Sequence, residues 1–111
     1  MIKFGTSGFR GIIGKGFTKE NISKIAFALS EIISKDKVKN PKIAVGYDNR
    51  LMGKETSTLV ANIFSSQGIE VLLYTKSVPS PLITFMTKKF TYGFMITASH
   101  NPANYNGVKI F

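Results

Sequence analysis

The sequence predicts an α/β domain whose mixed, mostly parallel sheet is wrapped by helices. Three observations carry this: segments with apolar residues at three- and four-residue steps, short apolar runs between them, and brief connections that alternate the two. Thr18 suits a helix N-cap, and Ile22, Ile25, Ala26, Leu29, Ile32 and Ile33 then share one face, predicting a helix over 19–36. After Asn40-Pro41, the run Lys42 to Tyr47 reads as a short buried strand ending in Asp48-Asn49-Arg50. A second helix follows from Gly53 to Gln67, with Leu59, Val60, Ile63 and Phe64 on its inner face and Gly68 at its C-cap. Ile69 to Thr75 returns to strand. Ser80 as N-cap and Pro81 at the first helical position open a third helix, which is expected to turn Leu82, Phe85 and Met86 inward. Tyr92 to Ile96 is a continuous apolar strand. Val108 to Phe111 is expected to fold back antiparallel to it after a turn at Tyr105-Asn106-Gly107.

The 111 residues suit one domain, 1–111, and a chain ending on an apolar residue in mid-strand is expected to be a piece of a longer, multidomain polypeptide. A composition 43% hydrophobic and 19% charged is that of a globular protein, not a disordered one. No apolar stretch has the length of a membrane span, and Met1 to Gly8 lacks the apolar core of a signal peptide, so a cytoplasmic address without a membrane partner is expected. The absence of cysteine excludes disulfides, thiolate catalysis and cysteine zinc sites, and a single histidine cannot build a histidine cage. Any metal must therefore be held by oxygen.

Fifteen Lys and Arg against six Asp and Glu give a net charge of +9, which attracts phosphate esters or nucleic acid. Lys19, Lys24, Lys35, Lys37, Lys39 and Lys42 read as solvated residues around a helix and loop. There is no run of five like charges and no alternation of aromatic and basic residues, so no nucleic-acid partner is expected.

In open parallel sheets ligands gather beyond the carboxyl ends of the strands, which singles out Asp48 to Arg50 and Thr97 to Pro102. Ser99 lies in a loop leaving a buried strand, where a serine can be phosphorylated; the added charge of about −1.5 to −2 would call on cations such as His100, Lys109 and Arg10. Taken alone, the same loop reads as a surface turn in which Ser99 and Asn101 satisfy backbone groups. A serine hydrolase is excluded by the lack of a GxSxG elbow and of a second histidine to act as base. Gly5-Thr6-Ser7-Gly8-Phe9-Arg10-Gly11 could bring backbone close to an anion while Arg10 offers a planar fork, although by itself it reads as a Gly-rich turn; it is neither a Walker loop nor GxGxxG. Asp48 and Arg50 read as a salt-bridged loop, with Arg50 ranked behind Arg10 as a site residue.

Together, GTSGFRG at 5–11, GYDNR at 46–50, TASHNP at 97–102 and NGVK at 106–109 resemble the first domain of the phosphoglucomutase and phosphomannomutase family. The resemblance implies a three-layer α/β/α domain that carries a catalytic phosphoserine. By it, Ser99 would exchange a phosphoryl group with hexose phosphates through a hexose 1,6-bisphosphate. His100 and Lys109 match positions beside the reacting phosphoryl group, and Arg10, with Thr6 and Ser7 of the same motif, matches its surroundings. It also implies Mg2+, with the phosphate on Ser99 as one ligand. The family's Asp-rich metal loop, sugar-recognising loop and terminal phosphate clamp are missing from these residues, so the chain is expected to need later domains and to be inactive alone. Ser7 leans toward a glucose or mannose phosphate over glucosamine phosphate. The alternative readings are a non-catalytic phosphate-binding module and a basic nucleic-acid-binding domain.

Overall fold

A computed structural model describes residues 8–98 and 101–111. In chain order these form β1 (Phe9–Ile12), α1 (Lys19–Lys35), β2 (Lys42–Tyr47), α2 (Gly53–Ser66), β3 (Glu70–Leu73), α3 (Ser80–Met86), β4 (Tyr92–Ile96) and β5 (Tyr105–Ile110). The sheet order is β1-β5-β4-β2-β3. β2 pairs parallel with β3 and β4, whereas β5 is antiparallel to β4 and β1. The α/β class and the antiparallel return of the last strand are as the sequence predicts.

Local chemistry fixes the helix ends. Thr18 is the N-cap of α1, its Oγ1 accepting from the Asn21 amide at 3.2 Å. Gly68, at φ 78°, ends α2: its N–H reaches Ser65 O and the Ile69 N–H reaches Phe64 O, a paired closure that turns buried Ile69 into the next strand. α1 and α2 cover one face of the sheet. There Ile22, Ile25 and Leu29 of α1 and Val60 and Phe64 of α2 share a core with Ile43, Val45, Phe94 and Ile96, and Phe64 meets Phe94 edge-on at 5.4 Å. α3 packs on β2 and β4 from the other face. Ile83 is its fully buried residue, and it seats over two glycines. A Cβ at Gly46 would lie 2.7 Å from Ile83 Cδ1, and one at Gly93 2.6 Å from Ile83 Cγ2.

Five expectations need correction. Phe9 to Gly11, read as part of a Gly-rich turn, lie in the edge strand Phe9–Ile12, because β5 supplies an antiparallel partner from the far end of the sequence. Ile32 is 50% exposed, since α1 presents only the arc through Ile22, Ala26, Leu29 and Ile33 to the core. In α3, Pro79 is the N-cap and Ser80 the first helical residue; Phe85 is exposed and Leu82 and Met86 only half-buried, as Ile83 fills the groove above the glycines. Tyr105, Asn106 and Gly107 are strand, and the reversal before them lies earlier, between the end of β4 and Tyr105. The third strand is shorter than predicted, spanning Glu70–Leu73. Among the described residues no helix is long and apolar enough to cross a membrane.

Substituting Gly93→Ala should destabilise the protein by about 1–3 kcal/mol in urea unfolding, through overpacking against Ile83. Combining it with Ile83→Ala, which removes the Cγ2 that the new methyl would meet, should cost less than the sum of the two single losses, because the two sites are in direct contact.

Candidate functional site

Parallel pairing of β2 with β4, with Tyr47 opposite Ile96, delivers two loops to the same end of the sheet. The Asp48 amide bonds back to Ile96 O at 3.2 Å, so the loops start in contact. Asp48 then uses both carboxylate oxygens. Oδ2 accepts from Thr97 Oγ1 at 2.5 Å, and Oδ1 accepts from the Arg50 amide at 3.1 Å, which tightens the turn after β2.

The Arg50 guanidinium reaches across to the second loop. Nη2 donates to Asn101 O at 2.6 Å, while Nη1 donates to Pro102 O at 2.8 Å and Tyr105 O at 3.1 Å. Its ion pair with Asp48 is longer, Nε to Oδ2 at 4.0 Å. The salt-bridged loop expected there is present, yet the carbonyls are the closer partners. A planar fork meets several diverging carbonyls in a way that a point charge cannot.

Two further amides tie the loop down. Asn101 N–H donates to Ala98 O at 3.1 Å, and its side-chain Oδ1 accepts from Arg10 Nη1 at 2.8 Å. Asn106 is fully buried: Nδ2 donates to Leu51 O at 2.9 Å and Oδ1 accepts from the Gly107 amide at 2.9 Å. Gly107 must lack a side chain, because a Cβ there would run into Phe9 O on β1.

Of the residues expected to act on phosphate, Arg10 and Lys109 are described; Thr6, Ser7, Ser99 and His100 lie outside the described residues. Arg10 stands opposite Gly107 on β5, and Lys109 is two residues farther along that strand, so both cations belong to one sheet face as diagonal neighbours. Both are half-buried. Arg10 Nε is buried without a hydrogen-bond partner among the described residues, leaving a donor available to an anion. Lys109 Nζ lies 5.4 Å from the Phe111 ring centroid. Between the loops that follow β2 and β4, a depression of about 680 Å³ is lined by Asp48, Asn49, Arg50, Leu51, Asn101 and Ala103. Arg10 thus reaches the residue two places after Ser99.

The family model for phosphoglucomutase/phosphomannomutase, alpha/beta/alpha domain I, matches residues 1–111. The chain belongs to that family. A phosphoglucomutase of Staphylococcus haemolyticus is 36% identical over 99% of this chain and 21% of its own length. A phosphoglucosamine mutase of Alkaliphilus oremlandii is also 36% identical, over 97% of this chain and 24% of its own. Among solved structures, a Thermus thermophilus protein assigned as a phosphomannomutase superimposes with a TM-score of 0.91 at 34% identity, covering 98% of this chain and 25% of that one. The chain therefore spans about a fifth to a quarter of the length of these family members.

Among the described residues no three His, Asp or Glu side chains gather closely enough to hold a metal ion. Sequence reasoning missed the carbonyl contacts of Arg50, the Thr97 to Asp48 bond and the Asn101 to Arg10 bond, each of which joins residues at least 49 apart. The polar residues directly after two strand ends were the available signal.

Replacing Asn106 with Ala should cost about 1–3 kcal/mol in denaturant unfolding, because it strips the buried Gly107 amide and the Leu51 carbonyl of their partner.

Proposed function

We propose that this chain is the phosphoserine-bearing domain of a phosphohexomutase that interconverts hexose 1-phosphate and hexose 6-phosphate, with glucose or mannose as the sugar. The observation that carries the reading is the family match across all 111 residues, with TASHNP following the end of β4 and Arg10 reaching into it.

In the first half-reaction the bond between Ser99 Oγ and phosphorus breaks as a sugar hydroxyl oxygen bonds to phosphorus. The hydroxyl gives up its proton to a base, and the serine oxygen takes one up; His100 is the neighbouring imidazole suited to moving such a proton. The sugar now carries two phosphoryl groups. After it turns over, the other group returns to Ser99 by the reverse bond changes, leaving the isomeric monophosphate. Positive charge is needed throughout, because phosphoryl transfer depends mainly on positioning and electrostatic stabilisation. Arg10 and Lys109 supply two cations from one sheet face, and Thr6 and Ser7 add hydroxyls for phosphate oxygens. Domains elsewhere in the polypeptide complete the sugar and metal sites, as the chain's share of its relatives' length supports. Relatives named for glucose and for glucosamine phosphates are equally identical to this chain, so the preference for glucose or mannose rests on Ser7.

The test is intact mass and peptide mapping of the full-length protein purified from cells. Phosphate is expected on Ser99, and Ser99→Ala should abolish both the phosphate and mutase turnover. Residues 1–111 alone should show no turnover of hexose phosphates. A full-length protein without phosphate on Ser99 and without turnover would instead be a non-catalytic phosphate-binding module.

A further inference from the structure

We infer that Arg50, held by Asp48, is a positioning residue that sets the backbone on the trailing side of Ser99. The inference rests on the proposed role of Ser99 as phosphoryl carrier. Thr97 and Asn101 bracket the Ser99-His100 pair, and the same short loop after β2 holds both. On the leading side, Thr97 Oγ1 donates to Asp48 Oδ2 and the Thr97 amide is fixed to Gly107 O at 2.9 Å. On the trailing side, Arg50 draws three carbonyls, those of Asn101, Pro102 and Tyr105, onto one guanidinium. Asp48 links the two halves by accepting from the Arg50 amide.

The geometry separates this role from a direct one. The distal nitrogens of Arg50 point at main-chain oxygens of the chain itself, with the side chain only 15% exposed. A residue used this way holds a neighbour at its height instead of contributing charge to a substrate. Asn101 carries the effect further, because its carbonyl is held by Arg50 while its side chain orients Arg10 at 2.8 Å. Releasing Arg50 would therefore loosen the stem next to Ser99 and the aim of Arg10 together. A displacement near 1 Å suffices to cost phosphoryl transfer about 100-fold.

The experiment uses the full-length polypeptide and compares wild type, Arg50→Ala and Arg50→Lys. Steady-state kinetics should show kcat lowered about 10- to 100-fold in Arg50→Ala, with KM changed less than about threefold. Arg50→Lys keeps the charge yet cannot span three diverging carbonyls, so it should retain most of the defect. Free guanidinium ion at millimolar concentration should restore part of the Arg50→Ala rate and leave Arg50→Lys unchanged. Phosphoryl uptake from a labelled hexose 1,6-bisphosphate onto Ser99 freed of its phosphate beforehand should slow in parallel with kcat.

Several results would overturn the inference. Wild-type labelling and kcat in folded Arg50→Ala protein would do so, as would full activity in Arg50→Lys or a defect confined to KM. If Arg50→Ala fails to fold, the Arg50→Lys kinetics and labelling decide alone. Failure of wild-type Ser99 to take up label overturns the mutase reading and this inference with it, whereas labelling of wild type and of Arg50→Ala at equal rates overturns only the inference.

Discussion

The parallel pairing of β2 with β4 is the constraint from which the rest of the molecule follows. It places Ala44 and Gly46 toward α3 and Ile43, Val45 and Tyr47 toward α1 and α2, so one strand pair supplies both cores. Strands buried on both faces have no solvent side on which to put polar residues. Polar chemistry is accordingly displaced to their ends, where Asp48 and Thr97 meet across the pair.

Beyond β4 the carbonyls of Asn101 and Pro102 lie outside the sheet, and main-chain polar groups there call for partners. Arg50 resolves this with three charge-assisted bonds. Bonds of this kind are shorter and stronger than neutral ones, and here they come from a side chain whose own backbone is fixed by Asp48. The same bonds that satisfy the carbonyls fix the stem next to Ser99, while Arg10 approaches from β1 through Asn101.

Much of the fold was legible in the sequence. The helix over Lys19–Lys35 follows from its N-cap and periodicity, and Lys42–Tyr47 and Tyr92–Ile96 follow from apolar runs that stop abruptly. Ile32 and Phe85 show where periodicity falls short, since it gives a helix an apolar arc without saying how wide an arc its neighbours will cover. β1 was illegible for another reason. Arg10 and Gly11 look like turn chemistry until β5 offers Gly107 and Asn106 as ladder partners from the other end of the chain.

The candidate site divides in the same way. By itself the sequence determined the α/β class, the family through its four motifs, and the candidate groups Arg10, Ser99, His100 and Lys109, because residue type and local spacing carry that information. Only the tertiary structure decided that Arg10 reaches Asn101, that Asp48 holds Thr97, and that Arg50 serves the loop's carbonyls more closely than its acidic neighbour. Those contacts join residues 49 to 91 positions apart. Local propensity cannot encode them, since they form only once strand pairing has brought the ends of β2 and β4 and the edge strand β1 together.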